Sequence, residues 1–113
     1  MKNLTKIEAD LLALEIVATT LAGVGYQDTN NAIEYAISKN LEIDITSVSA
    51  GMASMPLDNP TCVVKLCFQN SENWDLWSPT LKINSTTIAD EAIRLSTWLY
   101  NMTNVDHDVI LED

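Results

Sequence analysis

The sequence predicts one small α+β domain: two N-terminal helices, an antiparallel meander of about three strands, and one C-terminal helix packed on the sheet. Three observations carry that reading. Apolar residues recur three and four apart between Leu4 and Leu21 and again between Ile88 and Met102, the helical period. Short runs between residues 41 and 83 alternate apolar and polar side chains, the strand period. The 113 residues, 47% of them hydrophobic, suffice for a single core without a disulfide or metal staple. The domain is expected to span 1–104, with 105–113 an acidic tail or an edge strand.

The first helix is the clearest element. Thr5-Lys6-Ile7-Glu8 has the form of a capping box, in which the hydroxyl caps the first turn and the carboxylate reaches back. Leu4, Ile7, Leu11, Leu14, Ala18 and Leu21 then alternate three and four apart, and Leu12, Ile16 and Val17 broaden the apolar face. Only Glu8, Glu15 and Thr19 make a polar stripe, so the helix is expected to be buried on most sides, in the core or against a second chain. Gly23 and Gly25 stop it. A second helix is expected from about Thr29 to Lys39, capped by Asp28 or Thr29. Ile33, Ala36 and Ile37 form its apolar face, and Asn40 suits a left-handed exit.

Leu41, Ile43 and Ile45 alternate with Glu42 and Asp44, the pattern of a half-buried strand reaching towards Ser49. A loop with two prolines follows, carrying Met52 and Met55, residues that can serve an adaptable contact surface and more often tuck under as satellite core. The strongest strand is Cys62 to Gln69: Cys62, Val64, Leu66 and Phe68 on one face, Val63, Lys65, Cys67 and Gln69 on the other. Asn70-Ser71-Glu72-Asn73 reads as a turn. Trp74 to Trp77 starts a third strand, interrupted by Pro79 and resumed at Leu81 and Ile83. The third helix begins near Ser85 to Thr87, with Asp90 as box partner of Thr87. Ile88, Ala92, Leu95, Leu99 and Met102 make its buried stripe. Asp90, Arg94, Thr97 and Asn101 make its solvent stripe, with Asp90 and Arg94 placed to pair.

Charge is the most unusual feature. Sixteen acids against six bases give a net of −10. Residues 72–113 alone hold eight acids against Lys82 and Arg94. Phosphate backbones and anionic lipid are neutralised by Lys and Arg, so direct binding to nucleic acid or membrane is not expected. Acidity on this scale either keeps the chain soluble or steers it to a basic partner. Cys62 and Cys67 are an odd number of residues apart on one strand, hence on opposite faces; they suit two free thiols in a reducing cytosol. Glu8 and Asp10 interrupt any signal-peptide core, and no apolar run nears a membrane span, so a cytoplasmic location is expected.

No catalytic constellation stands out. His107 is the only histidine and lies in Asp106-His107-Asp108, a charged run without the ligand spacing of a calcium loop. No catalytic residue, metal or cofactor is expected. The stretch Leu21-Ala-Gly-Val-Gly25-Tyr26, with Ala32-Ile33-Glu34-Tyr35-Ala36, resembles the first loop and second helix of ubiquitin-associated domains. The third helix that this resemblance implies is replaced by a strand pattern, and a glycine turn between two packed helices explains the same residues.

Trp74-Asp75-Leu76-Trp77, beside Glu72, is the segment that chemistry singles out. Tryptophan buries much area with few rotamers and is enriched at interface centres. Alternation puts Trp74 and Leu76 on one face and Asp75 and Trp77 on the other, so both indoles cannot be equally buried; for Trp77, packing under a helix is the commoner outcome. The candidate partner-binding residues are Glu72, Trp74, Asp75, Trp77, Asp106 and Asp108. The function expected is that of a non-enzymatic acidic protein that occludes or regulates a basic protein, as immunity proteins, antitoxins and phage inhibitors of host defence do. The alternatives are a homo-oligomeric subunit associating through helix 5–22, a possible homodimer, and a small-ligand binder.

Overall fold

The computed structural model describes residues 2–22, 26–42, 48–50, 61–69 and 75–104; at 26–28, 48–50, 67–69 and 75–76 it describes the backbone only. The fold is mixed α+β. In chain order the elements are α1 (Lys6–Ala22), α2 (Tyr26–Leu41), β1 (Val48–Ala50), β2 (Cys62–Val64), β3 (Leu66–Gln69), β4 (Asp75–Trp77), β5 (Leu81–Ile83) and α3 (Ile88–Asn104). No helix among the described residues is long and apolar enough to cross a membrane.

The capping box forms as the sequence predicts. The Glu8 N–H donates to Thr5 Oγ1 at 3.1 Å, and the Thr5 N–H donates to Glu8 Oε1 at 3.0 Å. The side of α1 that enters the core is Ala9, Leu12, Ala13, Ile16, Val17 and Thr20. The stripe that the three-and-four spacing singles out faces away: Ile7, Leu11 and Leu14 are 72%, 62% and 48% exposed, and Ala18 is exposed too. The expectation of a helix buried on most sides is therefore corrected within the single chain. Ala9 and Ala13 are small enough to let neighbouring elements approach the helix backbone, which makes that side the better packing face.

Helix α2 starts at Tyr26, three residues before the sequence suggests, because Thr29 is a buried residue inside the helix and not its cap. Ile33, Ala36, Ile37 and Leu41 bury its apolar face. Leu41 thus closes the helix and does not open a strand. Asn40 remains helical and donates to Ala36 O at 2.7 Å, and the left-handed residue is Glu42, at φ 54°. Ile43 and Ile45, like Gly23, Gly25 and the two-proline loop, lie outside the described residues.

Among the described residues five strands pair in two antiparallel sheets, of order β1-β3-β4 and β2-β5. The expected run from Cys62 to Gln69 divides at Lys65. Its first half pairs with β5, Val63 opposite Lys82; its second pairs with β1 and β4, Cys67 opposite both Ser49 and Trp77. The division has a local cause. Ser78, buried just after β4, donates its N–H to Leu66 O and accepts the Leu66 N–H on its hydroxyl, both at 2.8 Å. That exchange ends the β3–β4 ladder at Leu66, and the chain then turns through Pro79 to lay β5 against β2.

Helix α3 buries Ala92, Leu95, Leu99 and Met102 as its spacing predicts. It runs antiparallel to α1: Ser96 Oγ donates to Asp10 Oδ1, and Thr103 Oγ1 accepts the Leu4 N–H at 3.2 Å. Its start is organised by Asn84 and not by a Thr87–Asp90 box. Asn84 Oδ1 accepts from the Thr86 and Thr87 N–H groups at 2.9 and 3.1 Å, while Nδ2 donates to Thr61 Oγ1. Arg94 pairs with Glu91, at 3.1 Å, and not with Asp90. Glu91 is buried against the side of β5 that faces away from β2: Glu91 Oε2 accepts the Lys82 N–H at 2.8 Å, and Thr87 Oγ1 donates to Lys82 O at 2.7 Å. Two side chains from the start of α3 therefore satisfy an edge that no strand covers among the described residues.

Candidate interaction surfaces

Of the six residues that the sequence nominates for partner binding, the structure places one side chain. Trp77 ends β4 and is 51% exposed, so its indole is not packed under a helix. The ring is held by Lys65, whose Nζ lies 4.8 Å from the ring centroid. Lys65 is the exposed residue at which the long strand divides. The pair is a cation–π contact at the surface, of the kind that contributes about 0.5–1 kcal/mol. Asp75 is placed by its backbone, opposite Gln69. Glu72, Trp74, Asp106 and Asp108, and with them His107, lie outside the described residues, so no two of the nominated side chains are brought together among those described.

Charge is distributed unevenly. All six bases have described side chains, against seven acids (Glu8, Asp10, Glu15, Glu34, Glu42, Asp90 and Glu91), which leaves that body at −1. The remaining nine acids belong to positions 28, 44, 58, 72, 75, 106, 108, 112 and 113. Several described acids are also neutralised locally. Lys2 Nζ donates to Glu8 Oε2 at 2.6 Å, which, with the Thr5 N–H, pulls the Glu8 carboxyl down to about 2 and raises the Lys2 ammonium. Lys39 stands 3.9 Å from Glu15.

A second surface lies on α1, the helix that the alternative of self-association names. Ile7, Leu11 and Leu14 on α1 and Ile93 on α3, 64% exposed, form an apolar strip where the two helices lie side by side. Leu14 and Ile93 line a shallow groove of about 310 Å³ with Asp10, Ala89 and Ala92. Asp10 and Ile93 continue into a second groove of about 310 Å³ floored by Ser96 and Tyr100. The signal in the sequence was the apolar excess of α1, which offers two candidate core faces where one suffices. Spacing alone does not say which of the two is used.

Among the described residues no group of three His, Cys, Asp or Glu side chains could hold a metal ion. Asn84, which opens the triplet Asn84-Ser85-Thr86, is buried with its amide nitrogen bonded to Thr61, so the described fold does not present it for glycosylation. Comparison of the chain with protein-family models, with curated proteins and with solved structures finds no match.

Proposed function

We propose that the protein is a non-catalytic binding protein that occludes or regulates a basic protein partner, in the manner of immunity proteins, antitoxins or phage inhibitors of host defence. The observation that carries this reading is the display of Ile7, Leu11, Leu14 and Ile93 on one side of a chain whose net charge is −10. A contiguous exposed apolar patch marks an interaction surface more often than a single exposed side chain does. The grooves beside Leu14 and Ile93 are shallow and lined by helix side chains, a surface suited to a macromolecule. The surplus carboxylates supply steering towards cations, and Trp77 offers an aromatic face on which a partner's Lys or Arg can replace Lys65.

The test is affinity capture from the native cell at low and high salt, followed by measurement of the association rate for the retained protein. The expected result is a basic protein whose association slows as ionic strength rises. An association rate indifferent to salt, or a retained protein that is itself acidic, refutes the reading.

One further reading is favoured by the same strip: a homo-oligomeric subunit joined through α1. The apolar spacing of that helix is what a twofold helix pair requires. Sedimentation equilibrium separates the two, since a stable dimer without another ligand supports assembly and a monomer supports a foreign partner.

A further inference from the structure

We propose that residues 2–5 are a clasp that holds the C-terminal ends of α2 and α3 to the start of α1, and that its release opens both ends together while the middle of the fold stays closed. The device is independent of what the protein binds. The last carbonyls of a helix have no partner inside it and are commonly met by a glycine turn or by a base in the final turn. Neither end here has that provision. α3 has no base in its last turn and is followed in sequence by Val105, not glycine. α2 passes into Glu42, left-handed at φ 54° without being glycine. Lys39, in the last turn of α2, is drawn away to Glu15, at 3.9 Å, and to the Tyr35 ring, 5.5 Å from the centroid.

Residues 2–5 supply the missing partners, one helix at a time. The Lys2 N–H donates to Leu41 O, at the end of α2, at 2.8 Å. The Leu4 N–H donates to Thr103 Oγ1, which itself donates to Leu99 O at 2.9 Å. Asn104 Nδ2 donates to Leu4 O at 2.8 Å and to Tyr100 O at 2.9 Å. Both backbone groups of Leu4 are thus spent on the last turn of α3, and its side chain is buried. Thr5 then forms the capping box of α1 with Glu8, and Lys2 Nζ donates to that same carboxylate. Among the described residues α2 and α3 each pack along α1 and little on one another, so residues 2–5 are a direct link between their ends. The link is one buried leucine and a few hydrogen bonds, far less than the core around Ile16 and Leu95, so it opens at lower cost than the whole fold. The clasped ends are also where two acidic stretches begin: 43–47 with Asp44, and 105–113 with Asp106, Asp108, Glu112 and Asp113.

Native-state hydrogen exchange of the full chain, read amide by amide by NMR where exchange follows the opening equilibrium, is the test. Thr103→Val keeps the branched shape and removes the acceptor of the Leu4 N–H. It is expected to speed exchange about tenfold at Asn101 and Met102 in α3 and by the same factor at Asn40 and Leu41 in α2, while Ile16 and Leu95 stay within about twofold. Leu4→Ala, which shrinks the buried anchor, is expected to speed the same four amides at least about thirtyfold. Should Leu4→Ala not fold, Thr103→Val decides alone. Acceleration confined to α3 overturns the proposal, because the loss of the Thr103 bond to Leu99 O then explains it. Equal acceleration at Ile16 and Leu95 also overturns it, since residues 2–5 are then part of one cooperative core. So do unchanged rates in Thr103→Val, or helix ends that exchange like an unfolded chain before any substitution.

Discussion

Leu11 and Leu12 are adjacent, chemically identical and on the same helix, yet the structure gives them opposite fates: 62% exposed against 1%. Truncating each to alanine measures that difference directly. Leu→Ala removes about three carbon groups at roughly 0.8 kcal/mol each, a transfer loss of about 2.4 kcal/mol for a fully buried side chain. At Leu12 a cavity adds to it, and the total falls at about 3 kcal/mol, within the usual span of roughly 2–5. At Leu11 most of the side chain is already in water, no cavity opens, and alanine is the slightly better helix former; the expected cost is below about 1 kcal/mol. Urea unfolding followed by far-ultraviolet circular dichroism gives both values. In thermal unfolding the Leu12 variant should melt roughly 10–15 °C lower, at about 4–5 °C per kcal/mol for a domain of this size. Equal losses at the two positions refute the assignment of the core face. A large loss at Leu11 that grows with protein concentration instead shows the strip covered by a second copy.

Thr5→Ala removes the hydroxyl that accepts the Glu8 N–H and is expected to cost about 1 kcal/mol in urea unfolding; no change would mean that the box does not hold in solution. Glu8, held near a pKa of about 2 by Lys2 and the Thr5 N–H, contributes stability that is complete above the ordinary glutamate range. That contribution is lost as pH falls through the folded value, so stability measured from pH 6 downwards declines between roughly pH 4.5 and 2, and Glu8→Gln flattens this part of the profile. Asn84→Ala removes the side-chain acceptor of the Thr86 N–H, leaves the Thr87 N–H only the backbone carbonyl of residue 84 at 3.2 Å, and removes one hydrogen bond to Thr61, with an expected cost of about 1–2 kcal/mol by the same unfolding assay. Glu42→Gly should be neutral or raise stability by up to about 1 kcal/mol, because glycine takes the left-handed exit of α2 without the steric cost of a Cβ; a lower melting temperature would contradict that geometry.

What the sequence determined by itself is what depends on near neighbours. The Thr5–Glu8 box, the buried stripe of α3, and the alternation that buries Leu81 and Ile83 around Lys82 all follow from spacings of two, three or four residues. Those spacings fix which side chains share a face before any tertiary contact forms. Overall charge and the mixed α+β class are readable for the same reason. Tertiary structure decided which face of α1 turns inward, since two apolar stripes compete and the outcome rests on how closely α2, α3 and the strands approach Ala9 and Ala13. It divided the strand at Lys65 through Ser78, a residue twelve positions from its partner Leu66. It also drew Glu91 and not Asp90 to Arg94, because Glu91 is held at β5 by accepting the Lys82 N–H. The exposure of Trp77 and of the strip from Ile7 to Ile93 belongs to this second class: a periodic pattern ranks residues by face, but only the packed neighbours determine which faces are left over for a partner.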